Sequence, residues 1–181
     1  KGCILIHLMS IRSWVWKVVK WVAVGLAVIV VAALMAGAVY QFAATRLDER
    51  KYPPPGRMVD VGGHSLHLNC TGEGSPTVIL EAGLGGGSLD WDLVQPEVAK
   101  FARVCSYDRA GMAWSETGTA PRDASQVVDE LHRLLAAAGI APPYVLAGHS
   151  LGGPYVQLYA AKYPDEVAGV VLVDSSHPDQ L

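Results

Sequence analysis

The stretch YVLAGHSLGGPYVQLYAAKYP, Tyr144 to Pro164, decides the fold. Tyr144 to Gly148 is a short apolar run suited to a buried strand, and an amphipathic helical pattern begins just beyond it. Between them stands Gly148-His149-Ser150-Leu151-Gly152. A G-x-S-x-G spacing at a strand-to-helix corner holds the serine on a strained turn, with its hydroxyl projecting above the sheet. The glycines are needed because a side chain there would meet the neighbouring strand and helix. The start of the following helix favours negative charge developing near the serine. Ser150 is therefore the candidate nucleophile, and a Gly-rich helix start in an ordinary parallel sheet is the competing explanation.

Outward from that corner the chain reads as alternating strands and helices. RMVDV and HSLHLNC flank Gly62-Gly63, a hairpin signal. TVILEA is a third strand with an apolar centre suited to burial on both faces. LDWDLVQPEVAKF reads as a short helical region limited by Pro96, and ARVCSYD as a fourth strand. ASQVVDELHRLLAAAG is the clearest helix: Val127, Val128, Leu131, Leu134, Leu135 and Ala138 share one face, and Gly139 supplies the stop. YVLAG is the fifth strand and AGVVLVD the sixth. This alternation predicts an α/β domain with a largely parallel sheet and helices on both faces.

A second Gly-rich turn, Glu81-Ala82-Gly83-Leu84-Gly85-Gly86-Gly87-Ser88, directly follows the third strand. Acyl transfer passes through a tetrahedral oxyanion that needs two aimed N–H donors. The residue after the nucleophile, Leu151, supplies one, and this loop supplies the other, most simply Leu84. Phosphate binding is the rival use of such a loop. The chain has no G-x-x-x-x-G-K-[ST], and Gly83-x-Gly85-x-x-Ser88 misses the third glycine of a dinucleotide fingerprint.

Read together, EAGLGGGSLDW, SYDRAGMAWS, YVLAGHSLGGPYVQLYAAKYPDEV and VVLVDSSHPDQ, in that order, resemble the α/β-hydrolase superfamily, and within it bacterial membrane-linked or exported esterase-like members. The resemblance runs from about Arg57 to the end. It implies an α/β-hydrolase fold and serine hydrolase chemistry on a small-molecule carboxylic ester or related acyl substrate, with no cofactor and no metal. The family usually has His-Gly in the oxyanion loop where this chain has Ala82-Gly83. The backbone donor remains, but a side chain that often braces the loop is gone.

The family order is Ser, then Asp or Glu, then His. By resemblance the acid follows a seventh strand and the histidine an eighth, whereas six strands are read before Leu181. The expectation is an incomplete domain that carries the nucleophile and oxyanion hole, with acid, base and lid lying further on. Asp174, ending the sixth strand, is the alternative acid, and a loop-capping carboxylate is its plainer role. His177 matches no family base, and the ring of His149 is expected to point away from the serine. His64, His67 and His132 read as ordinary surface or packing residues without metal-ligand spacing. For Asp108 and Arg109 a local ion pair or loop hydrogen bonds are expected. Trp91 and Trp114 either line an acyl pocket or pack, and Tyr155 and Tyr159 read as core. In the fold this chain resembles, the strands carrying Cys70 and Cys105 are neighbours. A disulfide is geometrically possible there and would suit an exported domain, with two buried thiols as the alternative.

Composition adds a membrane element. The 181 residues are 51% hydrophobic and 17% charged, more apolar than a typical soluble domain. Net charge is −3, without a basic block, which argues against nucleic acid. Trp21 to Tyr40 carries no charge over 20 residues, long enough to span about 30 Å of hydrocarbon. Arg12, Lys17 and Lys20 precede it, and Trp14, Trp16 and Trp21 suit the headgroup level. Ala36-Gly37-Ala38 also fits a signal-peptide cleavage site. The length favours a retained anchor, and a secreted domain is the alternative. Either places the domain outside the cytoplasm. Met9 opens a conventional leader, which would put the preceding residues, Cys3 included, outside the mature chain. The expected organisation is an N-terminal segment over 1–17, a transmembrane helix over 18–41, a Pro-rich linker over 42–56 and the hydrolase domain over 57–181. A non-catalytic membrane-anchored scaffold, an acyltransferase and a haloperoxidase-type member of the same fold are the alternative functions.

Overall fold

The computed structural model describes residues 2–118 and 121–177, with side chains from residue 14 onward except at 49. The side chain of Cys3 and the end of the 57–181 domain lie outside the described residues. The chain divides into two units that meet between Pro53 and Pro54.

The first unit is one helix, α1 (Gly2–Lys51). Within it, Trp14–Asp48 is long and apolar enough to cross a membrane, with a mean hydropathy of 2.7. The helix outruns the 18–41 span expected from hydropathy, and residues 42–51 continue it instead of forming a linker. The physical reason is local. Ala43, Ala44, Arg46, Leu47, Arg50 and Lys51 are good helix formers. Arg50 and Lys51 also place positive charge at the negative end of the helix dipole. Pro53 disfavours helical backbone at Tyr52, so the helix stops there. Only residues 52–56 remain as linker.

The second unit holds a six-stranded sheet in the order β1-β2-β4-β3-β5-β6. The strands are β1 (Arg57–Asp60), β2 (Ser65–Thr71), β3 (Thr77–Glu81), β4 (Val104–Tyr107), β5 (Tyr144–His149) and β6 (Val167–Val173). β1 and β2 form the expected hairpin, with Gly62 and Gly63 at φ 93° and 96° where a side chain would be strained. β2 runs antiparallel to β4, and the pairs β3–β4, β3–β5 and β5–β6 are parallel. Parallel pairs need crossovers. These are a 3-10 turn (Ser88–Trp91) with the short α2 (Gln95–Val98), then α3 (Ala124–Ala137), then α4 (Gly152–Lys162). Pro96 falls in the first turn of α2, where its missing N–H costs nothing.

The period-two alternation of the central strands sends side chains to two cores. Ile79, Cys105 and Leu146 face one core, with Val128, Leu131, Leu134 and Leu135 of α3 and Val156 and Tyr159 of α4. Leu80, Val104 and Ala147 face the other, under Trp91. The sheet is thus covered by helical segments on both faces, and the carboxyl ends of β3, β4 and β5 come together at one edge. α3 is fixed at its start by Asp123, whose side chain accepts from Gln126 N–H at 2.9 Å, a cap of about 1 kcal/mol.

Candidate active site

Ser150 sits where β5 turns into α4, with φ 50°, in the left-handed region that costs a non-glycine residue roughly 1–2 kcal/mol. Packing enforces the strain. A Cβ at Gly148 would lie 2.6 Å from the Gly152 carbonyl oxygen, and one at Gly152 would lie 2.4 Å from Glu81 O and 2.7 Å from Ala82 O. The turn is thus wedged against the end of β3. Gly153 N–H donates to Ser150 O at 3.0 Å and closes the corner. From the β6 side, Ser150 N–H donates to Val173 O at 3.2 Å and Ser176 N–H donates to Ser150 O at 3.0 Å. The serine is half-buried. Leu151 is the N-cap residue of α4, at the end of the helix whose first N–H groups have no intrahelical acceptor.

The Gly-rich loop after β3 lies against this corner. A Cβ at Gly83 would stand 3.2 Å from Ser150 Cβ and 3.2 Å from His149 Nδ1. Leu84 is 82% exposed. Gly86 N–H donates to Gly83 O at 3.2 Å, which makes the loop a tight turn. Farther along, a Cβ at Gly87 would come within 2.5 Å of Asp108 Oδ1, so the loop is also held against the end of β4.

Behind the loop lies a buried polar network that the sequence did not reveal. Arg109, after β4, donates to the Glu81 carboxylate, to Ala82 O at 2.7 Å and to Gly83 O. Tyr107 Oη donates to the other oxygen of Glu81. Burial pushes the Glu81 carboxyl up from its ordinary range, against the opposing pull of Arg109 and of the bonds from Tyr107 and Arg109. The Arg109 guanidinium also stands 5.6 Å from the centre of the Tyr155 ring on α4. The available signal was a carboxylate closing an otherwise apolar strand. A buried charge there demands a partner on the neighbouring strand.

Asp108 and Arg109 do not pair with each other. Asp108 is buried and accepts from Ser88 N–H at 2.6 Å, and it bonds His67 Nδ1 at 2.9 Å. Burial opposes its ionisation, but the bonds from His67 and Ser88 outweigh that and hold its carboxyl below the ordinary 3.8. His64 and His67 are both buried, which selects packing over surface exposure for them: β2 is paired on both sides and turns His67 into the domain. Ser88 Oγ and Asp108 Oδ2 both approach the same His67 nitrogen, at 3.4 and 2.9 Å. A triad uses opposite ring nitrogens, so this trio is a structural network.

Among the described residues no side chain hydrogen-bonds to Ser150 Oγ. Asp174 follows β6 with φ 42° and is exposed. Trp91 is buried in the second core with its ring edge-on to His149, 6.5 Å between centres, and Trp114 packs at 5.0 Å on His67. His132 stacks on Tyr163 at 4.1 Å. Tyr159 is fully buried, as expected, and Tyr155 is half-buried beside Arg109. Cys70 and Cys105 are cross-strand partners on β2 and β4, joined as a disulfide with Cα atoms 4.1 Å apart. A cavity of about 480 Å³ lies against α2, lined by Asn69, Thr71, Leu89, Gln95 and Ala99, and Ser150 is not among its walls.

The chain is similar to known proteins in sequence and in fold. An uncharacterized Bacillus subtilis protein, YbdG, is 28% identical over 167 residues, covering 91% of this chain and 51% of its own. A solved structure of a putative lipase from Acinetobacter baumannii is 27% identical with a TM-score of 0.64, covering 73% of this chain and 46% of that one. The enol-lactonase of Burkholderia xenovorans is 27% identical with a TM-score of 0.62, covering 66% and 47%. The chain spans about half the length, or less, of the curated relatives it matches. The family model for the alpha/beta hydrolase fold matches residues 76–181, from the start of β3 through the Ser150 corner. The chain belongs to the alpha/beta hydrolase fold family.

Proposed function

We propose that the protein is a serine hydrolase of carboxylic esters or related acyl compounds, working through an acyl-enzyme on Ser150. One observation carries this: Ser150 is held at φ 50° on a strand–turn–helix corner with Gly83 packed against its Cβ. The backbone N–H groups of Leu84 and Leu151 are the proposed oxyanion donors, one from each side of the serine. Ser150 Oγ adds to the acyl carbon while its proton passes to a base. The carbonyl electrons move to oxygen and the two N–H groups hold that charge. Collapse expels the alcohol, which takes up the proton. Water then adds to the acyl-enzyme and releases the acid. By family order the base is a histidine later in the chain than β6. Asp174 enters only as a substitute acid.

The uncharged stretch of α1 supports a membrane anchor, and the Cys70–Cys105 pair supports an oxidising compartment for the domain. Fluorophosphonate labelling of the membrane-bound full chain tests the chemistry. Phosphonylation mapped to Ser150 and lost in Ser150→Ala is the expected result. Absence of labelling would favour a non-catalytic scaffold.

A further inference from the structure

The loop that carries Leu84 is short of side chains: Gly83, Gly85, Gly86 and Gly87 surround it, and Ala82 precedes it. Such a backbone has many accessible conformations, yet an oxyanion donor must be aimed. Asp108 holds the far end of the loop, at Gly87 and Ser88, and one other side chain holds the peptide that carries the Leu84 N–H. Arg109 is buried and spends its guanidinium on the loop backbone, with Nη1 donating to Ala82 O at 2.7 Å and Nη2 to Gly83 O. Gly83 O and the Leu84 N–H belong to one planar trans peptide and point in opposite directions. Holding the oxygen therefore aims the N–H away from Arg109. A hydrogen bond from a charged donor also polarises that peptide and makes its N–H a better donor.

We propose that Arg109 is the positioning residue of the oxyanion hole, clamping the Gly83–Leu84 peptide so that the Leu84 N–H is aimed, while Glu81 and Tyr107 fix Arg109. A buried guanidinium is costly unless paired, and Glu81 pairs it. The ring of Tyr155 stands beside the same guanidinium, so one side chain ties the loop after β3 to α4, which carries the other proposed donor, Leu151. A lysine cannot do this: its single ammonium lacks the planar fork that reaches two successive carbonyls and a carboxylate together. The catalytic consequence rests on the serine-hydrolase proposal, whereas the ordering of the loop rests on geometry alone.

Two readouts on the full chain in detergent separate these. The first is the set of backbone amide order parameters across the 83–87 loop, with α3 as internal control. Wild type is expected near 0.85 at Leu84, falling below about 0.6 in Arg109→Lys while α3 is unchanged. The second is fluorophosphonate labelling of Ser150. The maximal rate is expected to fall at least about tenfold in Arg109→Lys, and by no more than the roughly 100–1000-fold of losing a donor outright, with the half-saturating probe concentration unchanged. If Arg109→Lys also loosens α3, Glu81→Gln replaces it: it keeps the guanidinium but removes its counter-charge, and the loop alone is expected to loosen. A Leu84 amide as rigid in a folded variant as in wild type overturns the proposal. A loop that loosens in a protein whose wild-type Ser150 never labels leaves Arg109 as the clamp and removes the hydrolase function instead.

Discussion

β5 and β6 lie side by side in parallel, and their sequences, YVLAGH and VAGVVLV, are almost equally apolar. Their surroundings differ. In β5, Leu146 is fully buried, and Tyr144 and Ala147 are buried as well. In β6, Leu172 is 49% exposed and Val170, Val171 and Val173 are exposed with it. The Ser150 corner inherits this asymmetry. Toward β3 it is wedged by backbone contacts that admit no Cβ at Gly152. Toward β6 it is held by the two hydrogen bonds through Val173 O and Ser176 N–H. The strained conformation of Ser150 is therefore fixed by backbone packing on the β3 side, and by main-chain bonds and the Ser175 side chain against Gly153 on the β6 side.

Substitutions sharpen or break this contrast. Leu146→Ala should cost about 2–5 kcal/mol in urea unfolding, since it opens a cavity in the larger core. Gly152→Ala should cost up to about 3 kcal/mol and abolish Ser150 labelling, because the added methyl meets the Glu81 and Ala82 carbonyls and neither can yield. A neutral Gly152→Ala would mean the corner is not wedged. Asp108→Asn should cost about 1–3 kcal/mol near neutral pH by leaving the Ser88 N–H and His67 bonds poorly met. The Asp108 carboxyl lies below 3.8, so its contribution is complete above that pH and is lost as pH falls through its folded value. The gap between wild type and Asp108→Asn should therefore narrow in urea melts below pH 3.8. Val171→Ala in the 181-residue chain should be the mildest, under about 1 kcal/mol, since Val171 is exposed there. A loss matching that of Leu146→Ala would show β6 to be covered and erase the contrast.

The positions of all six strands along the chain, the hairpin at Gly62-Gly63 and the α3 face were readable because each rests on local periodicity and glycine punctuation. Ser150 was readable because its motif is contiguous. The span of α1 beyond residue 41 was not legible because the apolar run ends there and the prolines at 53–55 mark a linker, although Arg46, Arg50 and Lys51 are compatible with helix. The Glu81–Tyr107–Arg109 and His67–Asp108–Ser88 networks were missed for a different reason. Their hydrogen-bonded partners lie 20 to 41 positions apart, and only the register of β2, β3 and β4 brings them together. Of the two roles expected for Asp108 and Arg109, loop hydrogen bonds are present, to Ser88 N–H and to Ala82 O and Gly83 O, and a pair between the two residues is not.

The most direct test is to trap the covalent intermediate. The full chain in detergent is mixed with a p-nitrophenyl ester, quenched in acid within the first turnover, digested and weighed by mass spectrometry. An acyl mass added to the peptide containing Ser150, absent in Ser150→Ala, is the expected result. Release of p-nitrophenol with no acyl group on Ser150 would contradict the assignment of that serine as the nucleophile.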